Sequence, residues 1–591
     1  MKIEKSEKPR IKGQLRRNQL ITTMGPGAIV DLKNASVIIS GIDSWENCDN
    51  IDDLKINNVR LQNLLGKDYF LMPPYKIDKT SNYFSSYDIL AYRFPKWYYC
   101  EICKKLAPYT EFKLERGKLV CDGEKCYGKE VIPSRFVVAC RKGHISDFPY
   151  REWVHGGTTD CNKRLTIKDT GKTGELKSII IECECGKKRD MGQTFNPNTF
   201  IMQCNGDTPW LGDKHEYCSE KVITLQRSSS SVYFPITVSS ILIPPWSKVI
   251  NQEIEKFYEE NKEAFDDREL LIQVLANKIS KKHNISREES IRQIEAIITE
   301  KNRDEITYNE LLEDEYRALR METNDGEFIT KEEQVPEFIN KYISKIMLVK
   351  KMTETIVEVG FKRIDPEYDL LDSNTYTRLT SKINQKWLPG VNQKGEGIFI
   401  ELDQEKIQEW ENKPEVIKRY SSIVNRKEEG WLKGLRKAIT PRTILLHTLA
   451  HAIIRQLTFE CGYSSTSLKE RIYTTFEDGN IDMAGILIYT TSSDSDGSLG
   501  GLVKQGKTKN LKKILEKTIE NMAWCSTDPL CIEREHSGYR NLNLAACHAC
   551  VLLPETSCEL RNILLDRAAI RGKLDNLEIG FLKEFYQNEE R

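Results

Sequence analysis

Residues 525–558 read CSTDPLCIEREHSGYRNLNLAACHACVLLPETSC. Cys525, Cys531, Cys547, Cys550 and Cys558 all fall in this stretch. Cys547-x-x-Cys550 is the tight knuckle that sets two thiolates on one zinc ion, and more distant cysteines complete the tetrahedron. Zinc suits such a set because thiolates are soft ligands and the ion is not redox active. Free cysteines also occur singly in apolar cores. Five of the chain's 17 cysteines in one short stretch argue instead for metal.

A second concentration lies upstream. Cys100-x2-Cys103 and Cys121-x4-Cys126 are two close pairs with 17 residues between them, the spacing of a zinc ribbon. Gly123 and Gly128 give the second pair its turn. Cys183, Cys185, Cys204 and Cys218 make a further candidate tetrahedron anchored on one close pair. Cys140-x3-His144 reads either as half of another site or, with His155, as polar groups satisfied within the fold. Two to three structural zinc sites are expected in all.

The remaining composition narrows the class. Among 591 residues Lys+Arg and Asp+Glu are both 88, so a basic surface must be local. Charged residues make up 30% and hydrophobic residues 39%, as in a globular protein with much exposed helix. No apolar run approaches the roughly 18 residues of a membrane span. The opening MKIEKSEKPR has no apolar core of a secretory signal. A cytoplasmic chain is expected, in which cysteines serve metal rather than disulfides.

The expected fold class is α+β and multidomain: a zinc-ribbon-like N-terminal region, a charged helical middle and a mixed α/β C-terminal zinc-binding domain. Residues 1–95 form a basic arm and an aromatic-rich segment, and 96–250 a cysteine-rich region with strands. Residues 251–440 read as mainly helical, since Glu/Lys-rich sequence there carries apolar residues at helical spacing. Residues 441–591 form the C-terminal domain. Gly25-Pro26-Gly27 is a rigid turn packing against a specific partner.

Pro441 opens a helix in which His447 and His451 share a face. Their spacing matches a metalloprotease helix, but Thr448 stands where the catalytic glutamate belongs. Core histidines bonded to their neighbours are the expectation. Gly501-x4-Gly506-Lys507-Thr508 matches a phosphate-binding loop by letter, yet its preceding strand ends too early. Lys504, Lys507, Lys509, Lys512 and Lys513 mark a basic helix start suited to nucleic-acid phosphates. A solvated helix face explains the same lysines.

RRNQLITTMGPGAIVDL at 16–32, LHTLAHAIIRQLTFECGYSSTSLKERIY from Leu446, SSDSDGSLGGLV from Ser492 and the C-terminal cysteine stretch resemble the DrmB family of the bacterial anti-phage system DISARM. Residues 441–570 also resemble the zinc-binding domain of MrfA-type DNA-repair helicases, where a Gly-Gly turn precedes a helix and then a four-cysteine site. Gly500-Gly501 fits that order. The resemblance leaves open which four of the five cysteines bind; Cys531, Cys547, Cys550 and Cys558 are expected, with Cys525 as alternate. It implies a non-motor, non-catalytic subunit that partners a DrmA-like helicase ATPase and supports DNA binding, directly or through that partner. The competing function is a metal-dependent nuclease or hydrolase using His447, His451 and a carboxylate such as Asp494 or Asp496.

Overall fold

The strand Ala484–Ser492 is buried from Ala484 to Tyr489, as a strand interior to a sheet must be. In the computed structural model of the chain it lies between the strands Trp387–Leu402 and Leu468–Thr474. The structure describes residues 11–587 except 34, 50, 76–84, 86, 116, 172–174, 197, 200–201, 213, 245–248, 262–267, 284, 302–305, 371, 427–428, 430–431, 433–436, 475–478, 480 and 493–499. The basic arm's residues 2–10 therefore lie outside the described residues.

Packing divides the chain into two units that interleave along the sequence. One comprises Met1–Ile56, Tyr69–Val238 and Ile356–Val391; the other comprises Asn57–Asp68, Ser239–Thr355 and Asn392–Arg591. These units do not follow the linear segments 1–95, 96–250, 251–440 and 441–591. Composition varies along the chain, whereas strand pairing joins residues far apart in it.

The first unit is built on short antiparallel strands. A six-stranded sheet runs Ile132–Pro133, Trp97–Tyr99, Lys105–Pro108, Leu165–Asp169, Ile179–Cys183 and Lys188–Asp190. A three-stranded sheet has Phe136–Ala139 between Ile145–Asp147 and Ile223–Gln226. The aromatics at 66–99 that the structure describes mostly pack inward: Phe70, Phe94 and Tyr98 are buried.

The Gly25-Pro26-Gly27 turn has the specific partner its rigidity implies. Gly27 sits at φ +88°, and a Cβ there would come 2.6 Å from the Phe361 ring. Arg363, fully buried, donates to the carbonyls of Gly27 and Gly143 at 2.9 and 2.8 Å. A Cβ on Gly25 would meet Glu358 and the Tyr233 hydroxyl. Tyr233 donates to the Glu358 carboxyl, and burial pushes that carboxyl well above the usual range. A carboxyl raised on folding stabilises fully below its unfolded pKa of about 4.3, and that contribution is lost as pH rises through the folded value. Glu358→Gln should therefore gain stability relative to the parent as pH rises from 4 to 8. Urea midpoints of both chains across that range check this; a pH-independent difference would refute it.

In the second unit the charged middle is helical, as composition implies, through Val249–Asn261, Arg268–His283, Arg287–Lys301 and Tyr308–Leu319. Ile254, Leu275, Ile279, Ile294, Ile297 and Ile298 form the buried seam of the first three. Helix fills this segment only as far as Leu319 and returns at Gln404–Glu411 and Pro414–Val424, with strands between. The correction has a plain cause: ISKIMLVKKMTETIVEVGFK at 343–362 is rich in β-branched residues and forms a single strand. Glu401 accepts from Tyr316 at 2.7 Å and Arg320 at 3.0 Å, and Asp403 caps the helix Gln404–Glu411. Both carboxylates thus have structural roles.

Pro441–Cys461 runs through the core of this unit, with every residue from Arg442 to Ile454 buried. Thr440 caps its start, accepting from the Thr443 amide, and Gly462 at φ +69° ends it. Among the described residues no helix is long and apolar enough to cross a membrane.

Candidate metal centres

Among the described residues the structure gathers 14 of the 17 cysteines into four clusters. Disulfide sulfurs lie about 2.05 Å apart. Sulfurs sharing a tetrahedral zinc with bonds of about 2.3 Å lie about 3.8 Å apart. The observed spacings match the second figure, and all 17 cysteines are free thiols.

Cys100, Cys103, Cys121 and Cys126 converge as their spacing implies. Cys100 Sγ lies 3.8 Å from Cys126 Sγ, and Cys103 Sγ 3.6 Å from Cys121 Sγ. The two glycines differ in purpose. Gly128 takes φ +67°, whereas Gly123 keeps an ordinary φ and leaves space beside the Cys126 sulfur, 3.1 Å from where its Cβ would stand.

Cys183, Cys185, Cys204 and Cys218 do not come together. Cys183 and Cys185 join His155 and Cys161; Cys204 and Cys218 join Cys140 and His144. Strand pairing makes the division. Leu165 lies opposite Cys183, which brings the preceding Cys161 to the Cys183–Cys185 turn. Ala139 lies opposite Ile223, which sets Cys140 beside the segment carrying Cys204 and Cys218. The sulfurs of Cys161 and Cys183 are 3.6 Å apart, and those of Cys140 and Cys218 are 4.0 Å apart.

Each added histidine turns one nitrogen to its cluster and uses the other elsewhere. His155 Nε2 is 3.3 Å from Cys185 Sγ while its Nδ1 is 2.7 Å from the Arg151 carbonyl. His144 Nδ1 is 3.4 Å from Cys140 Sγ while its Nε2 faces the Glu216 carboxylate at 3.4 Å. An outer partner that fixes the ring in this way is the usual arrangement around a metal-ligating histidine. A hydrogen bond from Cys204 holds the Cys140 thiol down to about 4, leaving one sulfur as the thiolate a metal requires.

At the C-terminus the set that converges is Cys525, Cys531, Cys547 and Cys550. Sulfur separations are 3.5 Å for Cys525–Cys547, 3.7 Å for Cys531–Cys550 and 3.6 Å for Cys547–Cys550. A hydrogen bond from Cys531 brings the Cys550 thiol down to about 5. Cys525 thus takes the place expected of Cys558. Cys558 instead lies beside His447, His451 and Glu470, all buried. Asp494 and Asp496 lie outside the described residues.

The phosphate-loop match is occupied from within the chain. The helix Gly501–Gly506 begins at Gly500, whose φ is +116°. The amides of Gly500, Leu502 and Val503 donate to the Glu396 carboxylate at 2.7, 2.9 and 3.3 Å. Thr508 donates through its amide and hydroxyl to Glu333 at 3.1 and 2.5 Å. Burial raises the Glu333 carboxyl, and these hydrogen bonds outweigh it, leaving the group below its ordinary range. The loop's anion is therefore a protein side chain. Beyond it Lys504, Lys507, Lys509, Lys512 and Lys513 are all exposed on Gly501–Gly506 and Thr508–Met522 or between them. Lys512 lies 3.8 Å from Glu516.

Fold and clusters together define a mixed α/β protein with a C-terminal zinc-binding domain: the model of the MrfA Zn-binding domain matches residues 449–551. That match begins after His447 and ends before Cys558. A domain of unknown function, DUF8724, matches residues 16–234 and so takes in three of the cysteine clusters. The DISARM protein DrmB of Bacillus paralicheniformis is 34% identical over 584 residues, covering 94% of this chain and all of that protein. The chain belongs to the DrmB family.

Proposed function

We propose that the chain is a zinc-stabilised, non-motor and non-catalytic subunit of a cytoplasmic DISARM anti-phage complex, where it partners a DrmA-like helicase ATPase and supports DNA binding. Its relationship to the DISARM protein DrmB along nearly the whole chain carries this reading. Two features support it. The cysteine clusters are four-donor sets, which leave no open position for a reacting water. The amides of the phosphate-loop match are already bonded to Glu396.

DNA phosphates meet the exposed face of Lys504, Lys507, Lys509, Lys512 and Lys513. Contacts of that kind are salt-dependent, each adding about 0.9 to the slope of log affinity against log salt. The test is co-purification with the helicase-like subunit from the native host, followed by DNA titrations of the complex at several salt concentrations. Changing the five lysines to alanine should weaken binding at low salt and flatten the slope. Unchanged affinity and slope would reject the lysine face. ATP hydrolysis by the isolated chain would reject the non-motor assignment.

A further inference from the structure

We propose that His447, His451, Glu470 and Cys558 form a further metal site, a closed cage for a divalent transition-metal ion of the zinc class. His447 and His451 are one helical turn apart on Pro441–Cys461, Glu470 lies on the strand Leu468–Thr474, and Cys558 comes from the turn after the C-terminal cysteine cluster.

The hydrogen bonds around the cluster fix what its centre contains. His447 Nδ1 is 3.3 Å from the Leu564 carbonyl, and His451 Nδ1 is 2.7 Å from the Val551 carbonyl. A carbonyl only accepts, so each Nδ1 carries a hydrogen. In a neutral imidazole the other nitrogen, Nε2, then presents a lone pair to the centre. Those two Nε2 atoms lie 3.0 and 3.3 Å from Glu470 Oε1, and His447 Nε2 lies 3.1 Å from Cys558 Sγ. Two lone pairs and a carboxylate facing one another repel unless something positive lies between them.

Protons satisfy this arrangement poorly. Charging both rings places two imidazolium ions with centroids 4.4 Å apart in a site with no water access. Charging one leaves the other lone pair against the carboxylate. In either case Glu470 Oε2 is buried without a hydrogen-bond partner. A divalent ion gives every donor a partner. With the thiolate and the carboxylate it also makes a site of zero net charge, the least costly form for complete burial.

Distances and surroundings agree. Zinc bonds of about 2.0 Å to nitrogen or oxygen and about 2.3 Å to the one sulfur give tetrahedral edges of about 3.3 to 3.6 Å, slightly above the separations of the apposed atoms. The Asn562 amide donates to Cys558 Sγ at 3.1 Å and the Glu559 amide to Glu470 Oε1 at 3.2 Å. Together with the two carbonyls, these are outer contacts that orient metal ligands. Four protein ligands leave no coordination position for water, so the ion ties helix, strand and C-terminal turn together and performs no hydrolysis.

The test is an anomalous difference map from crystals of the full chain, collected on both sides of the zinc absorption edge. A peak enclosed by Nε2 of His447, Nε2 of His451, Glu470 and Cys558 is expected, besides peaks at the cysteine clusters. Peaks at the cysteine clusters with none here would overturn this proposal and leave the cysteine reading intact. Native mass spectrometry gives an independent measure. Glu470→Gln should carry one ion fewer than the parent, whereas an unchanged count in the folded variant would overturn the site. If that variant does not fold, the map of the unaltered chain decides.

Discussion

Replacing Cys550 with serine should release one metal ion per chain and unfold the segment around residues 525–566. Cys550 touches two other members of its cluster and is buried, and little regular secondary structure holds that segment otherwise. Binding of a structural zinc contributes about 10 to 16 kcal/mol of apparent free energy where folding and metal are coupled. That figure is comparable with the whole stability of a typical domain, about 5 to 15 kcal/mol. Metal analysis and limited proteolysis of the variant check the outcome. Cys461→Ser is the control, because Cys461 joins none of the clusters formed by the described residues and should lose neither metal nor protection. A Cys550→Ser chain with full metal content and parental protease resistance would reject the site.

Asp566→Ala should have the next largest effect. Asp566 is fully buried and receives Arg419 Nε at 2.6 Å, Arg419 Nη2 at 2.9 Å and the Tyr420 hydroxyl at 2.8 Å. The amides of Ala545 and Ala568 donate to it as well, both at 3.1 Å. Its own amide donates to Thr448 Oγ1 on Pro441–Cys461. Burial raises the carboxyl, but Arg419 and these donors overcome that and hold it below its usual range. Removing the carboxylate strands a guanidinium that is itself almost wholly buried. Breaking one side of such a pair costs about 3 to 5 kcal/mol. Because the folded pKa is lowered, the contribution is complete above the unfolded value of about 3.9 and disappears as pH falls through the folded one. Urea unfolding at pH 7 should therefore show the full loss. A variant within 1 kcal/mol of the parent, on the scale of an exposed pair, would show that Asp566 does not anchor this core.

How much was legible in the sequence depended on whether ligands are neighbours along the chain. The Cys100–Cys126 set is local, so spacing identified all four members. Cys183 and Cys204 looked like partners because they are near in sequence, yet antiparallel pairing sends them to different clusters. Only the register of Leu165 against Cys183 and of Ala139 against Ile223 decides this, and register depends on residues far apart. The Cys140-x3-His144 spacing was a usable sign, and Cys161 was a cysteine left without a role. At the C-terminus five cysteines were visible but not the choice among them, because the histidines that draw Cys558 away lie over a hundred residues earlier. The Gly501–Thr508 match misled by letter alone: its pattern says nothing of Glu396, the carboxylate that occupies it.

The same contrast bears on how the protein is made. A cluster whose members lie close in sequence can close as soon as a short length of chain has left the ribosome, and chains emerge N-terminal end first. Cys100–Cys126 is complete within one short emergence, and Cys525–Cys550 within another. His447, by contrast, waits for Cys558, 111 residues later, before its cluster can exist. Until then the helix Pro441–Cys461, apolar on nearly every face, lacks Cys558 and the C-terminal segment packed on it, although the strands Leu468–Thr474 and Ala484–Ser492 have already been made. Nascent chains halted soon after residue 461 therefore leave this apolar helix uncovered, a point at which a chaperone would serve, and the strands that follow shield it in turn.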